Sequence, residues 1–329
     1  MRYLYIREDN PDDPDQTQAP PPSRPSPSPA RYAVALRHEL SLRNRRWALD
    51  HALPHEISTG SAPAVLYHQD EAANHGNFLP QSYARIMQRP DWARRLVKAH
   101  TTTRRALLSN DEISRRPRRS ELDSCNSSDA LLMNIFCHPK TLATNGVRLL
   151  LGIDPDADPV FGFKPRTPLK SGLRDCMEID MKLGDLLIEA KLTEYDFQAA
   201  PFKLIDRYVG LEDVFDLAAF NPPDSAGPIE ATLATSRIRI RHYQLIRGVM
   251  AAHASPANRF CVLCDARRPD LIAHWREVIM AVRSYELRSR LLLLTWQELA
   301  GTLPPKLQFF LAEKYGITPP LRDNRTHEP

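Results

Sequence analysis

The chain has no run of about 18 apolar residues, the length a helix needs to cross a bilayer. Its first residues carry no lysine-flanked apolar core of the kind that opens a secretory signal. Cysteine is scarce. Five residues, Cys125, Cys137, Cys176, Cys261 and Cys264, form an odd and scattered set, which points to reduced thiols in a cytoplasmic protein rather than a disulfide framework. Cys261 and Cys264 make a CxxC, but it lies in an apolar strand-like run with no second pair, so buried thiols are expected there and not zinc ligands. No Gly-rich phosphate loop, HExxH motif or GxSxG elbow occurs, which leaves an NTPase, a zincin or a serine hydrolase without support. No internal repeat is present.

What is there has an ordinary globular balance, 42% hydrophobic and 26% charged over 329 residues, enough for one large or two modest domains. Residues 1–30 are Pro-, Asp-, Ser- and Gln-rich and bury too little apolar surface to offset their ordering entropy, so disorder is expected. The region 31–119 reads as mainly helical and basic, with a helix over 31–53 stopped by Pro54, a short strand at Ala64–Tyr67, and a helix from Pro80 to Ala106 broken near Pro90. Net charge is only +4, yet Arg85, Arg89, Arg94, Arg95, Lys98, Arg104, Arg105, Arg115, Arg116, Arg118 and Arg119 face only Asp91, Asp111 and Glu112 in that stretch. Arginine forks suit phosphate oxygens. Arg94, Arg95, Lys98, Arg104 and Arg105 are therefore candidate nucleic-acid contacts, with a solvated helix face and basic linker as the plainer alternative.

A second region, 120–318, alternates strands and helices. Asn126-Ser127-Ser128 offers caps for a helix over Asp129–Phe136, in which capping is the expected duty of Asp129. Val160–Phe163, Phe260–Cys264 and Leu291–Thr295 read as strands; Ile238–Ala252, Pro269–Arg283 and Pro304–Tyr315 read as helices, the last closed by Gly316. Residues 222–228 form a loop, and 319–329 a flexible tail. The pattern implies an α/β core, a mixed sheet covered by helices on both faces.

Within that core, Cys176–Met181 alternates, placing Met177, Ile179 and Met181 inward and Glu178 and Asp180 outward. The run from Leu186 puts Leu186, Ile188, Ala190 and Leu192 on one face and Leu187, Glu189 and Lys191 on the other. Lys182-Leu183-Gly184-Asp185 supplies turn chemistry, so the two segments form an antiparallel hairpin that brings Asp180 close to Glu189 and Lys191. Converging carboxylates raise each other's pKa unless a cation joins them. Mg²⁺ (with Mn²⁺ as a substitute) takes a few carboxylate oxygens and is completed by water and phosphate oxygens, and the Ala190 carbonyl is a further ligand of the right kind. Asp180, Glu189 and Lys191 therefore fit metal-dependent hydrolysis of a phosphodiester, the lysine steadying developing charge.

These residues resemble the PD-(D/E)XK nucleases, the restriction-endonuclease-like superfamily, in an uncharacterised bacterial branch. Asp180 stands at the motif's first acid, Glu189 at its second and Lys191 at its lysine, while Ile179 replaces the proline. The resemblance covers roughly 122–317 and is sharpest at the hairpin. It implies a restriction-endonuclease-like core, endonuclease or exonuclease activity on DNA, and a helix at 238–252 whose Gln244 faces the metal or DNA, with a helix-surface amide as the alternative and Arg241 as a further DNA contact. It also allows an acid from the helix before the first strand, for which Glu121, Asp123 and Asp129 are the nearby choices. Glu178 and Glu194 take secondary places. A homodimer and a cytoplasmic setting are compatible with the sequence. Replacing Asp180 or Lys191 with alanine is expected to abolish cleavage with little change in thermal stability. Two other classes compete: a catalytically silent nucleic-acid-binding protein on the same fold, and a partner-binding protein whose Glu189–Lys191 pair is a surface ion pair worth under about 1 kcal/mol.

Overall fold

A five-stranded mixed sheet carries the architecture. The computed structural model describes residues 29–59, 62–97, 120–220 and 239–320. The Pro-rich segment 1–28, the basic residues Lys98, Arg104, Arg105, Arg115, Arg116, Arg118 and Arg119, the loop at 222–228 and the tail from 321 lie outside the described residues.

In chain order the elements used below are helix α1 (Pro29–Asp50), the small hairpin β1 (His55–Ile57) and β2 (Val65–Tyr67), helices α2 (Pro80–Met87), α3 (Pro90–Leu96), α4 (Ser128–Phe136) and α5 (Asn145–Leu151), and strands β3 (Pro159–Phe163), β4 (Ile179–Leu183) and β5 (Leu186–Ala190). Helix α6 (Tyr243–His253), strand β6 (Arg259–Cys264), helix α7 (Pro269–Ala281), strand β7 (Leu291–Thr295) and helices α8 (Trp296–Ala300) and α9 (Pro305–Tyr315) follow. The sheet runs β7-β6-β5-β4-β3. Strands β5, β6 and β7 are parallel, and β4 and β3 add in antiparallel fashion.

Parallel strands need helices on both faces, so they read as near-continuous apolar runs. On one face Leu186, Ile188, Ala190 and Leu192 pack with Leu36 and Leu40 of α1, Leu131 and Ile135 of α4, and Leu307 and Leu311 of α9. On the other, Leu187, Phe260 and Val262 pack with Leu245 and Val249 of α6 and Leu271 and Val278 of α7. The alternation expected for β5 is thus found in full, and helix α1 shares the first core. Among the described residues no helix is long and apolar enough to cross a membrane. Cys261 and Cys264 are buried free thiols, as the apolar run implies.

Three local expectations are corrected. The helix expected from Ile238 begins at Tyr243, because Arg239 and Ile240 pair with Pro201 and Ala200 in a short ladder. His242 then takes a φ of +64°, which an α-helix does not accommodate. The first strand of the hairpin begins at Ile179, and Met177 is 44% exposed rather than inward. Ile179 also joins the second core while Met181 and Leu183 join the first, so the strict alternation breaks at Asp180. The turn itself is only Gly184-Asp185: Leu183 lies opposite Leu186 and Met181 opposite Ile188, and Gly184 supplies a φ of +60°.

Candidate active site

The break at Asp180 is where the site forms. Past Met181, β4 and β5 no longer exchange strand carbonyls; instead the Ala190 N–H donates to Asp180 Oδ2 at 2.8 Å. The location is the carboxyl end of the three parallel strands, where open α/β sheets leave a crevice because the connections diverge there. Residues just after each strand fix it. The Lys191 N–H donates to the Leu263 carbonyl at 2.8 Å, and the Lys191 carbonyl accepts from Trp296 Nε1 at 2.9 Å.

Glu189 and Lys191 share a face of β5, and both are buried, at 2% and 4% exposure. Lys191 Nζ lies 2.7 Å from Glu189 Oε1. Burial alone would strip the lysine of its proton, but Glu189, Asp180 and Glu194 together outweigh it and hold the ammonium above its ordinary pKa of 10.5. The Asp180 pKa is raised as well: burial first, then repulsion from Glu189 and Asp129, lifts its carboxyl well above 3.8, and Lys191 offsets only part of this. The burial of Glu189 and Lys191 removes the surface-ion-pair alternative. It also revises the expectation that Lys191 is thermally silent, because a lysine removed here strands a buried carboxylate.

A third carboxylate stands beside Asp180. Asp129, 4% exposed, is the one charged residue of α4, and the expected capping duty is met by Ser127, which accepts the Ala130 N–H. Asp129 Oδ2 pairs instead with Arg95 Nη2 at 2.8 Å, and Arg95 Nη1 reaches Glu178 Oε2 at 2.9 Å. Arg95 is therefore not an open phosphate contact but a half-buried bridge; its desolvation is outweighed by Asp129 and Glu178, which raise its pKa. The bridge passes over Gly162, whose φ is +64° and where a Cβ would stand 2.3 Å from Arg95 Nη1. Glu178 sits ahead of β4 and accepts from Arg95, while its carbonyl accepts from Arg247 Nη2 at 2.8 Å.

The other sequence candidates are placed as follows. Glu194 accepts from the Ser128 hydroxyl at 2.5 Å and from the Leu192 N–H at 2.7 Å, next to Lys191. Gln244 lies in the first turn of α6, its N–H on the Phe197 carbonyl, and its buried Oε1 has no hydrogen-bond partner among the described residues. Arg94 is exposed, its Nε on the Pro90 carbonyl. Arg241 precedes α6 rather than lying on it and is 3.7 Å from Glu277. Glu121 and Asp123 belong to a 3-10 turn, where Asp123 closes a capping box with Ser120 and pairs with His75. The residues undervalued by sequence reasoning are Asp129 and Arg95; a lone acid in an otherwise apolar helix was the available signal.

Against this geometry stand the comparisons. A family model described as a restriction endonuclease associating with ARP matches residues 54–316, about four fifths of the chain. The chain belongs to this family. Neither a comparison with curated proteins nor one with solved structures gave a match. A restriction-endonuclease-like family member with this α/β sheet is a nuclease-like protein, and the motif resemblance at the hairpin agrees with it.

The acids also bear on a cation. Among the described residues no three His, Cys, Asp or Glu side chains are already gathered as a cage; Lys191 engages Glu189 and Arg95 engages Asp129. The donor set nonetheless fits a hard divalent ion. It is all oxygen and lies on adjoining strands, and Asp180 is lifted by burial first and then by the neighbouring acids Glu189 and Asp129.

Proposed function

We propose that this protein is a Mg²⁺-dependent nuclease that hydrolyses DNA phosphodiester bonds, with Asp180 and Glu189 as the metal-binding acids and Lys191 as the positioning cation. The observation that carries the reading is the half-buried Asp180, held by the Ala190 N–H beside the buried Glu189–Lys191 pair, in a restriction-endonuclease family chain. The Ala190 carbonyl would complete the protein ligands, and Mn²⁺ would substitute. When bound, such an ion polarises the phosphoryl group and lowers the pKa of water.

This chain's own residues do the rest. Asp180 is oriented by the Ala190 N–H, so its second oxygen is left for a ligand. In the metal-free protein Glu189, Asp180 and Glu194 outweigh burial and keep Lys191 charged. Its role is electrostatic: it orients the attacking water and stabilises charge on the phosphoryl oxygens, from a position fixed by Leu263 and Trp296. Arg95 keeps Asp129 neutralised beside Asp180.

Calorimetric titration with Mg²⁺ and Mn²⁺ tests the ligand assignment. Binding by the wild type that is lost in both Asp180→Asn and Glu189→Gln supports it; cation binding that survives both substitutions would place the ion elsewhere.

A further inference from the structure

We propose that Tyr195 is a stacking platform for an unpaired base of the DNA strand held at the candidate active site. The inference rests on the nuclease reading for its substrate and adds the strand state, which that reading leaves open. Tyr195 is 47% exposed and lies four residues beyond Lys191. At about 3.6 Å per residue its Cα is at most about 14 Å from that of Lys191. Tyr285 and Phe309 are more exposed, but they lie on the helix Tyr285–Ser289 and on α9, not on the segment leaving β5.

Loop tips are ordinarily the mobile parts of a fold, and an aromatic there must be ordered before it binds. This loop is ordered already. The buried Arg268 donates to the carbonyls of Leu192, Glu194 and Tyr195 at 3.3, 2.7 and 3.2 Å. Arg37 Nε donates to the Thr193 carbonyl at 3.1 Å, and the Thr193 hydroxyl donates to the Asn126 carbonyl at 3.3 Å. Each carbonyl from 192 to 195 thus has a partner. Asp196 turns back to accept the Gln198 N–H at 2.7 Å.

The Tyr195 ring itself is set. The Arg37 guanidinium carbon lies 4.1 Å from its centroid, covering one face with a cation. An aromatic backed by a guanidinium and about half exposed suits stacking with an unpaired base, because every base has a π-face. The positive charge behind the ring also favours the strand's phosphates. A rigid backbone and a preset ring reduce the entropy lost on binding.

The test is fluorescence anisotropy of the full-length protein with a labelled single-stranded oligodeoxynucleotide and a duplex of the same sequence, in EDTA so that no cleavage enters. Tyr195→Ala is expected to weaken single-strand binding about 5- to 150-fold, the range for loss of one stacked base, while Tyr195→Phe binds as the wild type. Duplex binding should change by less than about twofold, and abasic sites in the single strand should reproduce the loss with wild-type protein. The abasic arm decides the matter even where the alanine variant folds poorly. Equal affinity for intact and abasic strands, equal losses on single strand and duplex, or no single-strand binding by the wild type would each overturn the proposal. Cleavage with Mn²⁺ is measured separately, so failure here leaves the nuclease reading standing.

Discussion

Replacing Lys191 with methionine in the metal-free protein is expected to cost about 3–5 kcal/mol, the usual loss when one partner of a buried ion pair is removed. Lys191 is 4% exposed and 2.7 Å from Glu189, itself 2% exposed. Methionine is a flexible, unbranched filler, so the void left is small and the change isolates the charge. What remains is a desolvated Glu189 beside Asp180, whose carboxyl is already raised by burial and then by Glu189 and Asp129. With about 2.1 cal/mol/K of unfolding entropy per residue, the 329-residue chain should melt about 4–7 °C lower. Thermal and urea melts in EDTA measure this directly. Adding Glu189→Gln should recover most of the loss, because neither buried charge then remains. The sign with pH is also set. The Lys191 pKa is raised, so the stability its own charge brings is fully present below 10.5 and is lost only above that. A variant that melts with the wild type, or a double variant no better than the single one, would show that the pair holds no such energy.

Two further outcomes follow from the same cluster. Asp180→Asn keeps an acceptor for the Ala190 N–H but removes the charge. Because the raised pKa means the folded chain holds this proton more tightly than the unfolded one, metal-free wild type loses stability as pH rises from about 3.8 toward the folded value. The asparagine variant should therefore match or exceed the wild-type melting point in EDTA, by more as pH rises, and lose any Mg²⁺-induced increase; a lower melting point throughout the neutral range would contradict the repulsion at Asp180. Arg268→Ala leaves Asp270 buried and the carbonyls of Leu192, Glu194 and Tyr195 unpaired, a loss of at least about 3 kcal/mol in urea melts. Arg268→Lys should not restore it, since an ammonium lacks the planar fork.

Much of the core was legible because its periods are simple. The two-residue alternation of β5 assigned Leu186, Ile188 and Ala190 to one face and Leu187 to the other, and the apolar runs of β6 and β7 marked them as strands of a mixed sheet covered by helices. Asp180, Glu189 and Lys191 were singled out as candidates through the expected alternation, which in β4 breaks at Asp180. What failed depended on single residues overriding a pattern. The helical spacing from Ile238 onward hid the left-handed His242 that delays α6 to Tyr243. Asp129 looked like a cap because capping is local, whereas its partner Arg95 is 34 residues away and its neighbour Asp180 lies in another element. Arg95 was counted with a basic block for the same reason: its ion pairs are tertiary, and charge density along a sequence does not distinguish a bridge from a phosphate contact.

The most direct measurement is cleavage of plasmid and single-stranded DNA by the wild type and by Asp180→Asn, with Mn²⁺ and with EDTA. Cutting by the wild type only when metal is present, and a fall of at least about 100-fold in the variant, is the expected result. Equal cutting by both proteins, or cutting undiminished by EDTA, would contradict a metal-bound phosphodiesterase centred on Asp180 and Glu189.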